Sequence, residues 1–184
     1  MTKVLVLMAD GTEEMEAVIV IDTLRRAKWE VTVAGLKEGP VTAARGVKLL
    51  PDAVLDKVLD KVGAGAFDIL VVPGGARGVE HMTKDARVLE TIRVFHKAGK
   101  MIAAVCAGPL VLQAAGILDG RTVTSHPDVE ARITKATRID QDVVIDGHIV
   151  TSQGAGTSLK FALAIVSKVA GKKLADAVAK GMVA

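Results

Sequence analysis

Short apolar, β-branched runs alternate with longer helical patterns along most of this chain, and that rhythm restricts the fold more than any other feature. Val4–Met8, Val31–Leu36, Ile69–Val72, Met101–Val105 and Thr122–Ser125 read as strands. Val4–Met8 shows no polar alternation, as expected of a strand covered on both faces. Helical patterns fill the intervals at Glu13–Ala27, Ala53–Val62, Val88–Ala98, Ala107–Ile117 and Asp128–Thr134. This order predicts an α/β fold, a doubly wound and mainly parallel sheet sandwiched by helices, with right-handed crossovers. Two further strand pairs read as antiparallel. Val41 to Leu50 folds back around Ala44-Arg45-Gly46, and Val143–Ile145 faces Ile149–Ser152 across Asp146-Gly147 as an added β-hairpin. A last helix, Ser158–Ala170, stops at Gly171 and precedes a short Lys-rich helix. No repeat, linker or low-complexity tract interrupts residues 1–184, so a single domain is expected.

The first helix is the ambiguous element. Ala17-Val18-Ile19-Val20-Ile21 would pass for a strand by propensity alone. Thr12 as an N-cap, acidic residues in the first turn and Arg25-Arg26 in the last turn favour helix. A strand here would also leave no crossover between the first two parallel strands.

Composition removes several classes of function. A lone Cys permits no internal disulfide, no C-x-x-C redox pair and no cysteine-rich zinc site. Three Phe, one Trp and no Tyr leave few rings for stacking on bases. The 24 basic residues stand against 21 acidic ones without a Lys/Arg block, so pI 9.0 bears on solubility rather than on sequence-specific nucleic-acid binding. The apolar run Val4–Ala9 is shorter than the core of a secretory signal. Met101–Leu118 spans eighteen residues without a charge, but it contains Gly108, Pro109, Gln113 and Gly116. It reads as a buried strand entering a buried helix rather than as a membrane span. The expectation is a soluble, cytoplasmic protein with no membrane partner.

Cys106 is the most informative residue for chemistry. It falls between the strand Met101–Val105 and a helix beginning near Ala107-Gly108-Pro109, at the sheet edge where open α/β folds bind ligands. Unpaired N–H groups and a helix dipole at that edge favour a thiolate, so the thiol is expected below its free value of about 8.5. The competing reading is an inert core Cys. Pro73-Gly74-Gly75 follows another strand at the same edge, where glycines can aim N–H groups at an anionic oxygen; an ordinary turn is the plainer reading. Glu16 is the only polar residue between Met15 and Ile21, so an apolar setting should raise its pKa and suit it to proton exchange. Glu13 and Glu14 read as residues that merely answer the helix dipole. His126 directly follows Thr122–Ser125 and is the one candidate among four histidines; His81, His96 and His148 read as solvent-facing. No H-x-x-x-H, H-E-x-x-H or His/Asp cluster has metal spacing, and no standard nucleotide loop is present, so neither metal nor cofactor is expected.

Taken in order, A-D-G-T-E-E-M-E at 9–16, V-T-V-A-G-L at 31–36, V-V-P-G-G at 71–75, A-A-V-C-A-G-P at 103–109, T-S-H-P at 124–127, T-S-Q-G-A-G-T-S at 151–158 and F-A-L-A-I-V at 161–166 carry a resemblance. The chain resembles the DJ-1 branch of the DJ-1/ThiJ/PfpI superfamily over essentially its full length. The resemblance implies a flavodoxin-like homodimer in which Cys106 is the nucleophile, Glu16 its acidic partner and His126 the active-site histidine. Gly74, Gly75 and Ala107 match the oxyanion pocket, and Arg26 and Arg45 match the dimer interface. Ala155 stands where the family pattern has Pro, a departure expected to affect loop rigidity. Implied activities are glutathione-independent glyoxalase on methylglyoxal or glyoxal, deglycation of early adducts on proteins and nucleotides, and protection against oxidative stress. A redox sensor and chaperone using the same Cys106 is the alternative from a different class. A class I glutamine amidotransferase, for which His126-Pro127-Asp128 would mimic a His-x-Glu pair, is a further one, although the chain lacks a synthetase domain.

Overall fold

The computed structural model describes all 184 residues. The first half of the chain runs β1 (Lys3–Met8), α1 (Glu14–Arg26), β2 (Glu30–Gly35), β3 (Val41–Thr42), β4 (Lys48–Leu49), β5 (Ala53–Val54), α2 (Leu55–Val62), β6 (Ile69–Val72), α3 (Ala76–Lys84) and α4 (Ala86–Lys97). The second half runs β7 (Met101–Val105), α5 (Pro109–Ala114), β8 (Thr122–Val123), β9 (Thr137–Arg138), β10 (Val143–Asp146), β11 (Ile149–Ser152), α6 (Ser158–Ala170) and α7 (Lys172–Met182). A seven-stranded sheet, ordered β10-β11-β7-β6-β1-β2-β5, organises them. Only the β10–β11 pair in it is antiparallel. This is the doubly wound, flavodoxin-like α/β architecture.

Alternation along the strands sorts the core into two layers. Leu5 and Leu7 of β1, Leu70 and Val72 of β6, and Ile102 and Ala104 of β7 face α2, α3, α4 and α5. Val4, Val6 and Met8, Ile69 and Val71, and Ala103 and Val105 face α1, α6 and α7. Because both faces are covered, the central strands are apolar throughout, which is why their sequences lack polar alternation.

The differences from the sequence reading have local causes. Helix α1 forms, but Glu13 rather than Thr12 caps it, accepting from the Glu16 N–H at 3.0 Å. Thr12 Oγ1 instead accepts from the Ala9 N–H and tightens the turn after β1. Ala53–Val54 extends the sheet beside β2 instead of starting a helix. Helix α3 follows Gly74-Gly75 so closely, and buries so few apolar residues (Val79 and Met82), that its pattern was hidden. Pro109 opens a helix of only six residues, not the eleven of Ala107–Ile117. Thr122–Val123 leaves the main sheet and pairs with β9, and Pro127–Arg132 forms 3-10 turns rather than an α-helix.

Candidate active site

The carboxyl ends of β1, β6 and β7 converge on Cys106. Its φ of 63° lies in the left-handed region, which costs a residue with a Cβ roughly 1–2 kcal/mol. Two backbone hydrogen bonds hold it there: Cys106 N–H donates to Ser152 O at 2.9 Å, and Cys106 O accepts from the His126 N–H at 3.0 Å. Gly74 comes so close that a Cβ on it would lie 2.5 Å from Cys106 Cβ and 2.7 Å from Glu16 Oε2. Gly75 has φ = 89°, and a Cβ there would lie 2.1 Å from the Gly11 carbonyl oxygen. Only glycines let these two strand ends and the start of α1 meet.

Glu16 sits behind the sulfur, 1% exposed. Its Oε2 accepts from the Gly74 N–H at 2.7 Å, while Oε1 is buried without a well-formed hydrogen bond. Burial pushes the Glu16 carboxyl up to about 7, against the pull of the Gly74 N–H and of its interaction with the Cys106 thiol. The rise expected of Glu16 is found. The fall expected of Cys106 is not: burial first, then the charge of an ionised Glu16, push the thiol up to about 12. The N–H groups of Gly75 and Ala107 reach the sulfur and oppose that rise. The two acids titrate as a pair. Between the two values the pair holds one proton, and when the carboxyl carries it the repelling charge beside the sulfur is gone.

The sulfur opens into a cleft of about 260 Å³ whose walls include Glu13, Arg45, Gly75, Ala107, His126 and Asp128. The structure thus brings Cys106, Gly75, Ala107 and His126 to one cleft, with Gly74 and Glu16 packed behind the sulfur. His126 Nδ1 accepts from the Asp128 N–H at 3.2 Å, which leaves Nε2 as the free hydrogen-bonding atom of the ring. Sequence reasoning missed Glu14. Rather than facing solvent, it is buried, and both carboxylate oxygens accept from the Arg45 N–H, at 2.9 and 3.1 Å. That bond carries Arg45 to the cleft wall. The signal was present in the Ala44-Arg45-Gly46 turn, but its approach to the thiol is a tertiary contact that no local pattern encodes.

Comparison with known proteins agrees with this construction. The DJ-1/PfpI family model matches residues 2–168. Protein dj-1beta of Drosophila melanogaster is 41% identical over 97% of this chain and 95% of its own length. Its crystal structure superposes with a TM-score of 0.93, at 40% identity, over 99% of this chain and 97% of that one. The glutathione-independent glyoxalase DJR-1.2 of Caenorhabditis elegans is 35% identical over 96% of this chain and 92% of its own length. An oxidized Toxoplasma gondii DJ-1 structure gives a TM-score of 0.93 at 34% identity, over 100% of this chain and 98% of that one. The sequence, the fold and the crowded turn around Cys106 lead to one assignment, that this chain belongs to the DJ-1/PfpI family.

Proposed function

We propose that this protein is a cysteine-dependent, glutathione-independent glyoxalase acting on small α-oxoaldehydes, with deglycation of early adducts on protein amines and thiols as an extension of the same chemistry. The carrying observation is the Cys106–Glu16 pair, a thiol opening into a small cleft and a carboxyl buried behind it, both with raised pKa. As sulfur attacks the aldehyde carbon, the S–C bond forms and the carbonyl π bond opens. The shared proton ends on Glu16 whether it began on sulfur or on oxygen. The N–H groups of Gly75 and Ala107, which reach the resting sulfur, then turn to the new oxyanion. Glu16 then gives its proton to that oxyanion and, as a carboxylate, moves the aldehyde-carbon proton to the neighbouring carbon through an enediol, leaving a thioester on Cys106. Water cleaves that thioester, releasing the α-hydroxy acid and returning the thiol. The net reaction adds one water to the oxoaldehyde and needs no redox partner. His126 Nε2 orients the substrate oxygens at the cleft mouth, and Arg45 supplies a positive wall for the product carboxylate.

The protein is further read as a homodimer. Met15 and Val18 of α1 are exposed, as are Val47 and Leu50 after the neighbouring turn, which supports an apolar face covered by a second copy. A cleft of this size favours a free aldehyde or a small adduct over a bulky one.

The test is purified protein with methylglyoxal and no glutathione, product lactate being followed by proton NMR. Turnover by the native chain and none by Cys106→Ser is the expected result. Absence of turnover in the native chain would overturn the reading and leave oxidation sensing. Two observations favour that second reading: the only thiol of the chain is partly open to solvent beside two N–H donors that would hold sulfinate oxygens, and the Toxoplasma relative is described as oxidized.

A further inference from the structure

His96 lies near the end of α4, and His148 follows the Asp146-Gly147 turn between β10 and β11. Neither ring faces solvent freely. Both are half-buried, and His148 Nε2 lies 3.0 Å from His96 Nδ1, with ring centroids 4.9 Å apart and planes at 47°. The contact joins the hairpin at the sheet's antiparallel edge to the helix that precedes β7. His148 O accepts from the Ile102 N–H at the start of β7. The pair is therefore at the far end of that strand from Cys106, roughly 13 Å away along four residues.

Two imidazole nitrogens at this separation are spaced for a shared metal ion. Bonds of about 2.0–2.1 Å place cis nitrogens roughly 2.8–2.9 Å apart in square-planar geometry and about 3.3 Å apart in tetrahedral geometry. The observed distance lies between these limits. In the present contact one nitrogen donates and the other accepts. Moving that single hydrogen to the outer nitrogen of its own ring turns both lone pairs inward without release of a proton. Asp146 is not free to join, since it accepts from the Thr122 N–H at 2.8 Å and pairs with Arg121 at 3.2 Å, but its charge offsets that of Arg121. No third His, Cys, Asp or Glu side chain completes a cluster.

We propose that His96 and His148 form an open bis-imidazole site for a borderline divalent transition-metal ion, with solvent filling the remaining positions and Cu(II) bound most tightly of the series. Binding clamps α4 to the β10–β11 hairpin. This site is independent of the chemistry at Cys106.

The test uses Cys106→Ser protein, so that the thiol cannot compete, titrated with Cu(II) alone at pH 7.5. One ion per chain, an electron paramagnetic resonance signal split by two imidazole nitrogens, and a rise in Tm of about 3–8 °C are expected. His96→Gln and His148→Gln should each weaken binding at least tenfold, and the double variant should add little. His81→Gln should bind as the parent does. Zn(II) added to the unsubstituted chain should shift the imidazole NMR signals of these two rings together, a readout that needs no variant to fold. Coordination by one imidazole or none, or single variants that bind as tightly as the parent, would overturn the site.

Discussion

Replacing Glu16 by Gln tests the buried carboxyl directly, because its effect on stability grows with pH in a way that an exposed glutamate would not produce. The folded carboxyl titrates at about 7, whereas an unperturbed Glu titrates at 4.5. Between those values the native state binds a proton that the unfolded chain has released. Stability therefore falls as pH rises through this window and levels off above it. Taken between pH 5 and pH 8, the difference is roughly 2–3 kcal/mol, and at 1% exposure there is little solvent screening to reduce it. Gln keeps an oxygen for the Gly74 N–H and cannot ionise. Near pH 5 the variant should match the native chain closely; near pH 8 it should be the more stable by that amount. With a urea dependence of about 1–3 kcal/mol per molar, the two midpoints should separate by about 1 M as the pH is raised. The measurement is urea unfolding followed by circular dichroism in a pH series, repeated in Cys106→Ser to remove the coupled thiol. A difference between Glu16→Gln and the parent that stays constant from pH 5 to pH 8 would refute the reasoning, since an ordinary surface glutamate is already ionised at pH 5.

The same variant should lose methylglyoxal turnover by about 10²-fold or more while its thiol still reacts with iodoacetamide, because a donor remains but proton exchange does not. Gly74→Ala should lower both stability and thiol reactivity, the added methyl meeting Cys106 Cβ and Glu16 Oε2; thermal unfolding and alkylation rates report the two effects. Glu14→Ala, which frees the Arg45 backbone from its buried acceptor, should raise KM more than it lowers kcat in steady-state kinetics. Light scattering at micromolar concentration should give about twice the 19.2 kDa chain mass, and Val18→Asp should shift it to the monomer.

What was legible in the sequence follows from how each signal is encoded. The central strands announced themselves because burial on both faces demands unbroken apolar runs, and the Asp146-Gly147 hairpin did so through turn chemistry. Cys106, Gly74-Gly75 and Glu16 were legible because strand ends in an α/β sheet are shared ground, and a lone acid on an apolar face is conspicuous. Short elements were not. Strand β5 has two residues and exists only because β2 offers it an edge, while α3 buries too few apolar residues to show a period. Glu14 and His96–His148 escaped for a different reason. Each pairs with a residue 31 or more positions away, and nothing local marks a surface-like Glu or His as half of a buried contact. The direction of the Cys106 shift escaped because dipoles can be inferred from a helix start, whereas the depth of burial that outweighs them cannot.

The competing account of Cys106, an inert residue filling the core, can be weighed from the energies its surroundings imply. Inert packing needs neither a left-handed backbone nor a carboxyl beside the sulfur. Here the backbone at φ = 63° costs roughly 1–2 kcal/mol. The buried Glu16 costs roughly 2–3 kcal/mol more at neutral and higher pH than at pH 5. Together these are a sizeable share of the 5–15 kcal/mol that typically separates a folded domain from its unfolded chain. An Ala or Val at position 106 in an ordinary turn, with Leu at 16, would remove both costs and fill the same space. Gly74 leaves room for Cys106 Cβ and the Glu16 carboxyl, and Gly75, at φ = 89°, lets the strand end pass the Gly11–Glu13 backbone. Strain, a buried acid and a glycine-lined gap occur at one point, and each is unfavourable for packing. Their common product is a thiol and a carboxyl sharing a proton at the foot of an open cleft, which is an arrangement for chemistry.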